Sequence, residues 1–181
     1  MEERKVSESE SVISRVMMPP DANLAGNVFG GSILKMIDEI SGIVATRHCR
    51  RNVVTASIEH MDFLYPVHIG NLVTLKARMN FVGRTSMEVG VKVYAENLEN
   101  GDLNFTGNAI ITLVSLDESG RPVEVPRLIV ETEEDKALFQ EGHERWLNRN
   151  ERQKKLSTKN ANGNVKYKKA ILTHEQRRKS G

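Results

Sequence analysis

The 181-residue sequence contains one cysteine, Cys49. One thiol excludes an intrachain disulfide framework and any multi-cysteine metal site. It suits a reducing, cytoplasmic compartment. No apolar run of about 20 residues occurs, so no membrane span is expected. Residues 1–10 (MEERKVSESE) are charged where a leader would be apolar, and no signal peptide is readable. The five histidines, His48, His60, His68, His143 and His174, lack ligand spacing such as His-Glu-x-x-His, so no metal is expected. Gly-x-Ser-x-Gly is also absent around Ser32 and Ser41, which disfavours a serine triad. There is no internal repeat, Gly-x-Gly-x-x-Gly fingerprint or P-loop.

The charge that is present is unevenly placed. Residues 149–181 hold eleven Lys and Arg against Glu151 and Glu175, a net of +9. Since the whole chain is +2, residues 1–148 carry −7. The folded part is acidic and the tail basic, so nucleic acid is not the expected partner of the domain. Beyond an acidic helix expected over 131–151, residues 153–181 offer few large apolar groups and are expected to be mobile.

Between residues 72 and 116, apolar side chains alternate with polar ones. Val73, Leu75, Ala77, Met79 and Phe81 oppose Thr74, Lys76, Arg78 and Asn80. Met87, Val89, Val91, Val93 and Ala95 oppose Ser86, Glu88, Lys92 and Tyr94. A period of two describes strands with one buried and one wetter face. A third strand runs to Leu116, and an earlier one covers 53–63. Gly83-Arg84 and Glu99-Asn100-Gly101-Asp102 are turns short enough to require antiparallel pairing. Ahead of these strands, Ile33, Ile37, Ile40 and Val44 recur at helical spacing and predict a helix over 31–48. One helix and one long sheet must bury each other, so the fold class is α+β.

Chemistry concentrates at this helix. Gly30 and Gly31 open it, and the free N–H groups there can polarise a carbonyl. Two turns on, Asp38 sits at the edge of the apolar stripe with small residues, Ser41, Gly42 and Ala45, on its face. Such a carboxylate can serve as general base or as nucleophile. A surface ion pair would account for the same aspartate, and an ordinary loop for the same glycines. Cys49 and His48 point about 100° apart on a helix and do not form a catalytic pair. The turn Gly83-Arg84-Thr85-Ser86 has the hydroxyls and guanidinium to grip a phosphate.

Several motifs together resemble the hotdog-fold acyl-CoA hydrolases of bacteria and each half of the two-domain cytosolic enzymes of animals. They are Met18-Pro19-Pro20-Asp21-Ala22-Asn23, Gly26-Asn27-Val28-Phe29-Gly30-Gly31, Met36-Ile37-Asp38-Glu39, Val54-Thr55-Ala56-Ser57, Met61-Asp62-Phe63, Tyr65-Pro66-Val67, Gly70 and the 83–86 turn. The resemblance implies a long antiparallel sheet wrapped around one central helix over 10–125. It further implies a C-terminal helical extension over 126–152, and it does not extend to the basic tail over 153–181. It implies that Asp38 acts on the thioester, that Asn23 of a partner subunit completes the site, and that the 83–86 turn contacts the CoA phosphates. Homodimers, assembled as a trimer of dimers, and no cofactor beyond the substrate's own CoA are also implied. A rival is a non-catalytic acyl-CoA sensor whose basic tail binds nucleic acid. A hotdog dehydratase would want a histidine near the helix start, and none lies between Met1 and Glu39.

Overall fold

The structure, a computed structural model, describes residues 2–160. In chain order the strands are β1 (Glu3–Lys5), β2 (Ser11–Val16), β3 (Asn52–Phe63), β4 (Leu72–Val82), β5 (Ser86–Glu96), β6 (Leu103–Leu116) and β7 (Arg127–Ile129). Helix α1 (Gly30–Cys49) precedes β3, and helix α2 (Glu133–Asn160) follows β7. Strands β2-β4-β5-β6-β3 form one antiparallel sheet. Register shifts interrupt the β3–β6, β4–β5 and β5–β6 pairings. Such irregularities add local twist, which helps strands of 11–14 residues curl about a helix.

The alternation expected from the sequence is borne out except at Phe81, which the register shift after Met79 turns to the outer face. Val73, Leu75, Met79, Met87, Val89, Ile111 and Leu113 are buried on the inner face, against Ile33, Ile37, Ile40 and Val44 of α1. This is the hotdog arrangement, a sheet wrapped around a central helix. Arg50 ends α1 in the left-handed region at φ 54°, its N–H donating to Thr46 O at 2.8 Å.

Helix α2 differs from expectation at both ends. It starts at Glu133 because Thr132 and Asp135 cap it reciprocally: Asp135 N–H donates to Thr132 Oγ1, and Thr132 N–H to Asp135 Oδ2. Its backbone continues to Asn160, so the basic segment set off from 153 lies partly in α2. From 161 onward that segment is outside the described residues. Helix α2 covers the outer face of the sheet, where Phe139 packs 5.0 Å from the Phe81 ring. Gly142 permits the approach, since a Cβ there would come within 2.5 Å of Phe81 Cβ. The parallel β1–β7 pair, three residues on each side, is not foreshadowed by the sequence pattern. Segments that short carry no periodicity to read.

His48 in the last turn of α1 is fully buried and donates from Nε2 to Pro126 O at 2.9 Å. Burial holds its pKa below the usual 6.5. The folded chain therefore keeps this imidazole neutral while the unfolded chain protonates it. Stability is present above the unfolded pKa and declines as pH falls below it. The urea midpoint should drop between about pH 7.5 and pH 5.5, and the drop should be smaller in His48→Gln. Parallel pH profiles for the two proteins would contradict this assignment.

Candidate active site

Asp38 projects from the middle of α1 and is exposed in the single chain. Its Oδ1 accepts a 2.5 Å hydrogen bond from Thr55 Oγ1 on β3. Ser41 and Ala45 prove fully buried, with the Ser41 hydroxyl donating to Ile37 O. Gly42 alone supplies open space: a Cβ added there would meet no atom within 4 Å. Thr55 is a site residue to which the sequence pattern assigns no role. It lies 17 positions from Asp38 on another element, so helical periodicity alone could not pair them.

Among the described residues β3 is an edge strand, hydrogen-bonded only to β6. Ile58, Phe63, Leu64 and Tyr65 on or just beyond it are about half exposed, as is Ile43 of α1. A long edge with free backbone groups and exposed apolar side chains is the kind that pairs with another chain.

Asn23 lies in the loop before α1, in a turn where its N–H donates to Asn27 O at 2.7 Å. Its Oδ1 accepts from Ala25 N–H at 2.9 Å and Asn27 N–H at 3.2 Å. The carbonyl half of the amide is thus committed, and the Nδ2 half is a donor without a partner among the described residues. Asn23 and Gly30 line one cleft of about 400 Å³, together with Ile33, Phe63, Tyr65 and Val67. Gly31 is not at this cleft, and the Phe29 ring covers it: a Cβ on Gly31 would collide with that ring. Phe29 at the N-cap makes no side-chain capping bond; Ser32 N–H donates to Phe29 O at 2.9 Å, and the N–H groups of Gly30 and Gly31 have no side-chain cap.

Asp38 is not among the residues of that cleft. It lies eight residues beyond Gly30, a rise of about 12 Å along the helix. The candidate residues of one chain therefore fall into two sets: Asn23 with Gly30, and Asp38 with Thr55.

The 83–86 turn is fixed by its backbone. Gly83 N–H donates to Ser86 O, Ser115 N–H to Thr85 O, and Val125 N–H to Arg84 O. The Arg84 side chain is 81% exposed and lies 3.6 Å from Glu124. Met87, next to Ser86, pairs with Leu113, which pairs with Thr55. Two strand spacings, about 10 Å, separate that end of β5 from the residue that holds Asp38. The turn and Asp38 share one end of the sheet.

His60 Nε2 donates to Asp62 Oδ2 at 2.6 Å on the exposed side of β3. His48 bonds Pro126 O, and Cys49 Sγ faces Arg51 O at 3.7 Å, so these neighbours have separate partners. Among the described residues no three His, Cys, Asp or Glu side chains gather as a metal site would need. No described helix is long and apolar enough to cross a membrane.

Residues 25–101 match the thioesterase superfamily. An uncharacterized acyl-CoA thioester hydrolase of Bacillus subtilis is 40% identical over 153 residues, covering 84% of this chain and 89% of its own. The chain belongs to the hotdog thioesterase family. Another member, the cytosolic acyl coenzyme A thioester hydrolase of Rattus norvegicus, is 40% identical over 148 residues, or 81% of this chain. The present hotdog chain spans 39% of that mammalian protein's length. A solved structure of an apo-hexameric acyl-CoA thioesterase superposes with a TM-score of 0.80 at 39% identity. It covers 84% of this chain and 97% of its own.

Proposed function

We propose that this chain hydrolyses acyl-CoA thioesters to a free carboxylic acid and CoA, with each active site built from two chains. The observation that carries the reading is the division of the candidate residues. Asp38 is exposed beside a free sheet edge, whereas the uncapped N–H of Gly30 is about 12 Å away along the same helix and shares its cleft with the amide of Asn23. Pairing two copies along their β3 edges would place the Asp38 of one opposite the Asn23 and Gly30 of the other. Homologues carrying thioester hydrolase names support the activity, and a hexameric neighbour supports assembly of several chains.

In this mechanism Asp38 takes a proton from a water held by Asn23 Nδ2 of the second chain. The oxygen attacks the thioester carbonyl carbon, and the Gly30 N–H of that second chain stabilises the resulting oxyanion. When the tetrahedral intermediate collapses, the C–S bond breaks and the proton on Asp38 passes to the CoA sulfur. Thr55 fixes the rotamer of Asp38 throughout. The 83–86 turn, at Asp38's end of the sheet, holds the CoA phosphates through Arg84, Thr85, Ser86 and the Gly83 backbone. The reading requires no metal or separate cofactor. Homodimers are the catalytic unit, and three of them make the hexamer, in the cytoplasm.

Free-thiol release from a series of acyl-CoA esters tests the activity. Turnover of at least one chain length is expected, and none across the series would contradict the proposal. The basic tail motivates a sensor as the rival. Salt-dependent DNA binding without thiol release would favour that reading.

A further inference from the structure

We infer that Phe63 sets acyl-chain length, and that the acyl chain lies in the cleft of the subunit that supplies Asn23 and Gly30. The inference rests on the thioesterase reading and adds a direction to the bound substrate. Arg84 and the 83–86 turn share one end of the sheet with Thr55 and Asp38, so the CoA half belongs to the subunit that supplies the carboxylate. From the carbonyl at the Gly30 N–H, the acyl group must leave on the side away from sulfur.

That side is the 400 Å³ cleft. Its floor is apolar and dry, with Val28 7%, Ile33 2% and Val67 6% exposed. One wall is the Phe63 ring, whose Cζ would lie 3.2 Å from a Cβ on Gly30. The ring therefore packs against Gly30, the residue whose N–H takes the oxyanion. Phe63 is the last residue of β3 and is 54% exposed in the single chain, on the edge proposed to meet the second copy, so the core of one chain does not depend on it. An exposed aromatic against a glycine, at the mouth of an apolar cleft, limits the length of alkyl chain attached to the carbonyl.

The test is kcat/KM by thiol release for butyryl-, octanoyl- and dodecanoyl-CoA on the full chain and on Phe63→Ala, Phe63→Leu and Phe63→Trp. Truncation to alanine should raise the dodecanoyl-to-butyryl ratio by about tenfold or more, the scale on which pocket methylenes are discriminated. Leucine should fall between, and tryptophan should lower the ratio. An equal decrease on all three esters would overturn the inference, as would an unchanged profile. Wild-type protein inert toward every ester would instead overturn the thioesterase reading on which it rests.

Discussion

Replacing Asp38 by asparagine should lower kcat for acyl-CoA hydrolysis by about three orders of magnitude, the middle of the range for a positioned general base. Asparagine keeps the side-chain shape and can still accept the Thr55 hydrogen bond through its carbonyl oxygen, but it takes up no proton from water. The fold should be indifferent, because Asp38 is exposed and its side-chain hydrogen bond is the one from Thr55. Thermal midpoints of the two proteins should therefore agree while thiol release collapses. Near-normal turnover by Asp38→Asn would remove Asp38 from the mechanism. A parallel fall in thermal midpoint would assign the loss to the fold instead.

The second large effect concerns stability. Glu88 points to the outer face of the sheet between Met87 and Val89, and α2 covers it until it is 2% exposed. Arg145 of α2 is its partner, with Nη2 2.8 Å from Oε1 and Nε 3.2 Å from both carboxylate oxygens. Hydrogen bonding to Glu88 raises the pKa of this guanidinium above its ordinary value, so it remains charged wherever the protein folds. Arg145→Met strands a buried carboxylate and should cost about 3–5 kcal/mol. At this chain length that is a fall of roughly 10 °C in thermal midpoint. The double variant Glu88→Gln with Arg145→Met should recover much of it, because no isolated charge remains. By contrast, Lys35 and Glu39 are 3.8 Å apart with side chains 75% and 55% exposed, and such a pair contributes little. An Arg145→Met midpoint within about 2 °C of wild type would contradict the account of how α2 is held.

Sequence periodicity determines most of the fold because both of its periods are clean. Ile33, Ile37, Ile40 and Val44 face one way on α1, and the odd-numbered residues of 73–79 and 87–95 face the helix. Glu88 shows where periodicity stops. Alternation assigns it correctly to the outer face, but nothing local reveals that Arg145, 57 positions later, closes over it. Thr55 is hidden for the same reason: a hydroxyl on a strand acquires meaning only when a helix carboxylate is set against it. The glycine pair is legible as a helix start, yet Gly30 and Gly31 are equivalent in sequence. The Phe29 ring over Gly31 separates them in the structure. Three small residues suggest space beside Asp38, and only Gly42 provides it. Helical spacing does not say which way a small residue at the stripe's edge turns.

The division of the site between chains is tested most directly by mixing two inactive variants. Asn23→Ala and Asp38→Asn, carrying different tags, are co-expressed and their mixed dimers isolated for thiol release. An isologous dimer has two equivalent sites, and in the mixed dimer one site receives Asn23 from one chain and Asp38 from the other. The mixed dimers should recover about half of wild-type turnover per dimer, although each variant alone is nearly inactive. Mixed dimers no more active than the parent variants would place Asn23 and Asp38 in the same chain's site and contradict the account.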